Sequence, residues 1–443
     1  MSAPHIVVLG GGYVGMYAAY GLQKTLGRRK ARITVIDPRS YMTYQPFLPE
    51  AAAGSLEPRH VVVPLRKILK KCTVITGFVR SISHATKTVR VEPEAGEDYD
   101  LSYDILVVAL GSVSRTLPIP GLKDVGIGFK QVEEAIGLRN HVLDQLDIAS
   151  STTDEAVRRR ALTFVFVGGG FAGIEALGEL EDMAQYARQY YPRIGRHDMR
   201  WVLVEGAGRI LPEVGDEMGV YTVEELSKRG IEIRLETFLE SVEGGRIVLS
   251  KGRPFEANTV VWTAGVKANP VLRNSDLPLD QSGRVRTDTM MRVTDDNGVV
   301  EGVWAAGDNA AVPDPTSSDP DAIYPPNAQN AVREAKLLAK NVLASMSGEE
   351  PKPYVHKYVG SVASLGLYKG VAHVYGVKVK GFPAWFMHRT YHMSKMPTFN
   401  RKVRILVDWT MALLFRREVV SLGRMAVPRE EFRRAAEPSD KAA

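Results

Sequence analysis

Residues 6–15 read Ile6-Val7-Val8-Leu9-Gly10-Gly11-Gly12-Tyr13-Val14-Gly15, an apolar run that breaks into a glycine cluster and resumes as a helical pattern to about Leu26. The run has the length and β-branched content of a buried strand. A second strand, Ile33-Thr34-Val35-Ile36, ends in Asp37, 22 residues after Gly15. In Gly-x-Gly-x-x-Gly each glycine has its own task. Gly10 permits a tight turn, Gly12 lets the backbone approach a pyrophosphate, and Gly15 lets helix and strand pack closely. The helix N-terminus then faces the anion, and Asp37 stands where it can accept from a ribose hydroxyl pair.

The pattern returns. Phe164-Val165-Phe166-Val167 runs into Gly168-Gly169-Gly170-Phe171-Ala172-Gly173, a long helix, and a strand Trp201-Val202-Leu203-Val204 ending in Glu205. The repeat extends further, because Asp104 to Gly111 matches Asn258 to Gly265. Two related modules therefore share one chain, with the Leu117-Pro118-Ile119-Pro120-Gly121 stretch as the expected hinge. An acid at Glu205 accepts from both ribose hydroxyls and repels a 2′-phosphate, which favours NADH over NADPH. Two dinucleotide sites in one chain imply two nucleotides that exchange electrons.

The composition narrows the field. At 443 residues with 44% apolar and 24% charged residues, the chain exceeds one core and is too apolar for disorder. A single cysteine, Cys72, excludes a disulfide framework and an intrachain dithiol centre; its setting, Cys72-Thr73-Val74-Ile75, reads as a packed strand residue. No metal site is expected. No stretch reaches the roughly 18 apolar residues needed to span a bilayer. Residues 346–443 hold 17 Lys and Arg against 8 Asp and Glu, net +9, leaving the preceding residues at 40 against 43, net −3. The overall charge of +6 thus belongs to the tail, and such asymmetry points to an anionic partner.

The two fingerprints, the strand-Ala-x-Gly segments and Val303-Trp304-Ala305-Ala306-Gly307-Asp308 together resemble the two-dinucleotide-domain flavoproteins. Thiol-dependent members place cysteine beside the flavin, whereas the segment after Asp37 holds none. What remains is similarity, from Ile6 to about Gly423, to the type II NADH:quinone oxidoreductases. It rests on Tyr44-x-Pro46-Phe47-Leu48-Pro49 to Gly54, Gly173-Ile174-Glu175, Thr263-Ala264-Gly265, Ala328-Gln329 and an amphipathic basic tail with Asp408-Trp409.

The resemblance implies an α/β fold of two Rossmann-like domains plus a C-terminal membrane-associating segment with amphipathic helices. The FAD domain is expected over 1–114 and 299–345, the NADH domain over 115–298, and the membrane-anchoring, quinone-access region over 346–443. It implies FAD on the first module through Gly10, Gly12, Gly15, Asp37, Gly111 and Asp308. NADH is implied on the second, through Gly168, Gly170, Gly173, Glu205 and Gly265. Glu175 and Gln329 are the implied catalytic residues near the flavin ring and the quinone head group. The family's second glutamine, four residues after the first, is here Arg333.

In the tail a helical pattern from Phe399 to Phe415 places Val403, Leu406, Val407, Met411 and Leu414 on one face. Trp385, Phe386, Tyr391, Met393, Trp409, Leu413, Leu414 and Phe415 are expected as lipid anchors, flanked by Arg401, Lys402, Arg404, Arg416 and Arg417. These favour an anionic lipid surface over nucleic acid, so the expected partners are a membrane quinone and lipid, with no nucleic acid; a homodimer is a further expectation. The expected location is peripheral, on the cytoplasmic face of the cell membrane. Two alternatives stay open. One is a soluble FAD-dependent NADH reductase of a ferredoxin-like partner; the other is a flavin-bearing NADH sensor or scaffold.

Overall fold

The computed structural model describes residues 3–356 and 360–421. Residues 422–443, with the basic end of the tail, lie outside it. The first module carries strands β1 (His5–Leu9), β2 (Arg32–Asp37), β3 (Thr73–Ser83), β4 (Thr88–Pro93), β5 (Tyr99–Ser102) and β6 (Ile105–Val108), with helices α1 (Tyr13–Leu26) and α2 (Leu48–Ala52). The second carries β7 (Gly126–Ile127), α3 (Val132–Ser151), β8 (Thr163–Val167), α4 (Phe171–Ala187), β9 (Arg200–Val204), β10 (Glu232–Arg234) and β11 (Thr259–Trp262). The chain then re-enters the first module through β12 (Arg292–Asp295), β13 (Gly298–Ala305) and α5 (Ala328–Met346).

The larger sheet has the order β12-β13-β6-β1-β2-β3-β4-β5, and the smaller β7-β11-β8-β9-β10. β1 pairs in parallel with both β2 and β6, Ile6 lying opposite Ile33 and Ile105. β8 pairs likewise with β9 and β11. The strands of the repeat are therefore equivalent in space, and each glycine turn leaves its sheet where neighbouring crossovers diverge, the usual crevice for a ligand. All five residues of β1 and of β8 are buried, as strands covered on both faces must be. Helices α1 and α5 pack closely, because a Cβ on Gly21 of α1 would lie 2.8 Å from that of Ala339 of α5.

Two expectations need correction. Because β12 pairs with β13 inside the larger sheet, the return to the first module comes before residue 299, and the span 115–298 is too long for the second. Cys72 precedes β3 rather than lying in it; burial raises its thiol to about 11.

After α5 come three antiparallel strands, β14 (Gly360–Ser364), β15 (Gly370–Val374) and β16 (Val377–Lys380), then helices α6 (Phe382–Lys395) and α7 (Phe399–Phe415). The α7 limits match the sequence expectation. Its body-facing side buries Ile405 and Trp409, so the expected apolar stripe faces outward: Val403, Leu406, Val407, Met411 and Leu414 are exposed, and Phe415 keeps 76% of its surface. No helix among the described residues is long and apolar enough to cross a membrane.

Trp385, Trp409 and Arg417 were expected at the lipid surface and are instead inside. The Arg389 guanidinium lies 4.1 Å from the Trp385 ring centre and 5.0 Å from that of Trp409, and pairs with Glu50 of α2 at 2.8 Å. Trp409 Nε1 donates to the same carboxylate at 2.7 Å. Arg417 reaches Glu179 of α4 at 2.7 Å. A buried carboxylate is tolerated only when paired, and the tail supplies these partners.

Candidate functional site

The two glycine turns repeat each other in backbone conformation and close contacts. Gly10 has φ +99° and Gly168 φ +113°, a backbone region costly for residues with a Cβ. A Cβ on Gly15 would lie 1.7 Å from Gly10 O, and one on Gly173 2.0 Å from Gly168 O, so both helices pack against their own turns. At Gly12 and Gly170 nothing lies within 4 Å of a Cβ position. These are the N-caps of α1 and α4, and neither helix has a side-chain cap or an acidic residue in its first turn. By contrast, α3 has a capping box from Gln131 and Glu134, and α5 is capped by Asn327. Open space in front of uncapped amides fits an anion such as a pyrophosphate.

The acids occupy equivalent positions as well. Asp37 accepts from Gly11 N at 2.6 Å and Arg39 N at 2.7 Å; Glu205 accepts from Gly169 N at 2.5 Å and Ala207 N at 2.7 Å. Each carboxylate is thereby fixed beside its turn with lone pairs left for ribose hydroxyls. Burial raises the Asp37 pKa, opposed by these amides. Arg209 is taken up by Asp216 at 2.6 Å, leaving Glu205 as the acid beside the second turn.

Gly111 N donates to Asn309 Oδ1 at 2.8 Å, and Ser112 Oγ to Asp308 Oδ2 at 2.6 Å. Lys130 Nζ donates to that serine, and burial lowers the lysine pKa. Behind the loop, Glu334 accepts from Gly307 N at 2.7 Å, and burial pushes its carboxyl up to about 7. Asp308 is thus held at the carboxyl ends of β6 and β13, next to the first turn. Gly265 (φ +88°) occupies the matching place after β11.

Glu175 and Gln329 come from different modules and are held at opposite ends of one strand. Ser364 N, at the end of β14, donates to Glu175 Oε1 at 3.0 Å, and Gln329 Nε2 donates to Gly360 O, at the start of β14, at 3.2 Å. Gln329 is not a helix cap; Asn327 holds that position, accepting from Asn330 N. Arg333 donates to Gln329 Oε1 at 3.1 Å, so the residue replacing the family's second glutamine fixes the orientation of the first.

Sequence reading missed the residues that surround Glu175. His388 of α6 lies 3.0 Å from Glu175 Oε1, within ion-pair range. Burial alone would lower its pKa, but Glu175, with Glu50 behind it, holds it above the ordinary 6.5. Glu179 lies one turn further along α4. Burial opposes its ionisation, yet Arg417 foremost, then Arg389, keeps its pKa below 4.5. The only signal in the sequence was the i, i+4 spacing of His388 and His392 on one helix.

The family model described as pyridine nucleotide-disulphide oxidoreductase matches residues 4–335. The chain is 32% identical to the type II NADH:quinone oxidoreductase of Staphylococcus aureus, covering 87% of this chain and 93% of that one. It is 28% identical to the type II NADH:quinone oxidoreductase Ndh of Mycobacterium tuberculosis, over 92% and 88%. Among solved structures, NDH2 from Plasmodium falciparum in complex with NADH superposes with a TM-score of 0.86, at 17% identity over 94% and 99%.

Proposed function

Because this chain belongs to the pyridine nucleotide-disulphide oxidoreductases and, among them, to the type II NADH:quinone oxidoreductase family, we propose that its paired glycine turns divide the work of that reaction. The protein oxidises NADH and reduces a quinone by way of FAD. The flavin supplies the exchange of an electron pair between nicotinamide and quinone. The protein's residues bind, orient and protonate.

Gly10, Gly12 and Gly15 with the α1 amides hold the FAD pyrophosphate, Asp37 its ribose, and Gly111 and Asp308 the part leading to the ring. Gly168, Gly170 and Gly173 with the α4 amides hold NADH, and Glu205 binds its adenosine ribose. Gly265 leaves room beside it. Glu175 transfers protons to the quinone oxygen, and Gln329 donates to a quinone carbonyl. The observation carrying this reading is the duplicated turn, each copy with an uncapped helix N-terminus and a carboxylate locked to its middle glycine.

The exposed apolar face of α7, with Arg401, Lys402, Arg404 and Arg416 near it, supports lodging in an anionic lipid surface on the cytoplasmic face of the membrane, where quinone is reached. A homodimer burying that face is the competing use of the same surface. Steady-state NADH oxidation with and without a short-chain quinone tests the reading. Strong quinone dependence is expected, and Glu175→Gln should lower the quinone-dependent rate while flavin reduction by NADH proceeds normally. Unchanged quinone turnover across pH in Glu175→Gln would remove Glu175 from the reaction.

A further inference from the structure

We propose that His388 and His392 form the proton supply of the quinone-reducing site, with His388 handing its proton to Glu175 and His392 reloading His388. This rests on the reading of Glu175 as the group that protonates quinone.

The first observation is a count of buried charges. Three carboxylates meet behind β14: Glu50 from α2, and Glu175 and Glu179 from α4. Three basic groups face them. Arg389 pairs with Glu50 at 2.8 Å, Arg417 with Glu179 at 2.7 Å, and His388 with Glu175 at 3.0 Å. Ser364 donates to both Glu175, through its N–H, and Glu179, through its hydroxyl at 3.1 Å. Further along α4, Arg229 pairs with Glu181 and Asp182 and from there also helps to keep Glu179 ionised. Two of the three pairs contain arginine, which does not release a proton. With Glu50 and Glu179 ionised against their arginines, the cluster is electrically balanced when the third pair holds one proton, on His388 or on Glu175; burial raises the Glu50 pKa, opposed foremost by Arg389. Since both side chains are buried, the pair is a one-proton store, and emptying it leaves an uncompensated carboxylate in a poorly solvated place.

The second observation is a way back to solvent. His388 is 2% exposed, and neither ring nitrogen makes a hydrogen bond of ordinary geometry, Nε2 standing within ion-pair distance of Glu175. One turn on, His392 stacks edge-on against it with ring centres 4.6 Å apart; the residue keeps some exposed surface although its ring is largely desolvated. The His392 ring also lies against Tyr44, Phe47 and Tyr391. Tyr44 anchors this end of α6 by donating to His392 O at 2.9 Å. Burial and then His388 hold the His392 pKa well below 6.5, so it is a neutral imidazole able to accept at one nitrogen and donate at the other.

The step balances. The electron pair comes from NADH, and the reaction NADH + H⁺ + quinone gives NAD⁺ and quinol. The pair's single proton passes from His388 Nε2 to a Glu175 oxygen, and the Glu175 O–H bond then breaks as a quinone O–H bond forms; a solvent proton entering past His392 restores His388. The proton consumed overall is the one that travels this line. His388 and His392 act through Glu175 and are positioning residues rather than groups that touch the quinone.

The test compares the flavin-loaded wild type with His388→Gln, His392→Phe and Glu175→Gln. Two readouts are used: rapid-mixing kinetics, and the infrared carbonyl band of a protonated carboxylic acid. In His388→Gln the pair's remaining proton carrier is the carboxyl, so the difference spectrum against wild type gains a carbonyl band at neutral pH, over the background of Glu334, and the gain is absent in His388→Gln/Glu175→Gln. Flavin reduction by NADH is unchanged. Quinone turnover falls by about 100-fold, the scale of a lost proton-transfer group, with an altered pH profile. His392→Phe, at the more accessible position, lowers quinone turnover without creating the band, and it carries the kinetic test if His388→Gln fails to fold. Normal quinone turnover and pH profile in both histidine variants, alongside an impaired Glu175→Gln, overturns the proposal while leaving Glu175 in place. Normal turnover in Glu175→Gln itself overturns the reading on which the proposal rests.

Discussion

At the scale of single residues, the dinucleotide sites were legible because everything that defines them is local. Gly10, Gly12 and Gly15 act within one turn, and Asp37 reaches Gly11 across a single strand-helix-strand unit. The same logic identified Glu205. Its carboxylate is fixed by Gly169 and Ala207, and Arg209 is occupied by Asp216. Glu205→Gln should therefore raise the NADH KM and narrow the preference over NADPH by about tenfold or more, since a hydrogen bond to a charged group contributes roughly 1.5–3 kcal/mol. Comparing kcat/KM for the two nucleotides checks this; an unchanged ratio would place specificity elsewhere. The surroundings of Glu175 were not legible, for the opposite reason. Glu50 and Trp409 are 359 residues apart, and Glu179 and Arg417 are 238. Arg333 marks a middle case, seen as a departure from the family pattern but not as the residue that orients Gln329. Arg333→Gln frees that amide, so the quinone KM should change several-fold while the NADH KM holds, as quinone titrations at saturating NADH would read.

At the scale of elements, amphipathic periodicity located α7 to the residue but put Trp409 with the aliphatic residues at the lipid surface. Trp409 decides which face turns inward. Trp409 carries an N–H that needs an acceptor when buried, and Glu50 provides one, so the body takes the Trp409 side and the aliphatic stripe is left outside. Removing α6 and α7 by truncation would also strip Arg389, His388 and Arg417 from their carboxylates. Surface substitution is therefore the cleaner probe. Leu413→Glu/Leu414→Glu should release the protein from anionic vesicles, since burying each leucine contributes about 1.5–3 kcal/mol. Retained sedimentation with vesicles would contradict the lipid reading, and a shift from dimer to monomer would favour a subunit interface. Arg417→Met, by contrast, should leave vesicle binding intact and destabilise the fold by about 3–5 kcal/mol, the cost of stranding a buried charge, read as a lowered Tm.

At the scale of the whole molecule, the fold is one strand-turn-helix unit used twice, with a tail that closes the space between the copies. The two sheets and their order follow from parallel apolar runs in repeated context, and the sequence announces both. The β14 strand, which ties Glu175 to Gln329, follows residues 357–359, outside the described part, and has no motif of its own; its role depends on a meeting of two modules that local patterns do not encode. The tail also gives the fold a pH dependence. The His388 pKa is raised in the folded state, so its contribution to stability is fully present below the ordinary value of 6.5 and is lost as pH rises through the raised value. Glu175→Gln should flatten that part of the stability curve in denaturant titrations across pH. The central claim, that one chain carries electrons from NADH to quinone, is tested most directly by measuring NADH loss and quinol formation together, without oxygen, in vesicles bearing the full chain and its flavin. The account predicts equimolar NADH consumed and quinol formed; NADH oxidation without matching quinol, or reduction of the bound flavin that quinone fails to reverse, would contradict it.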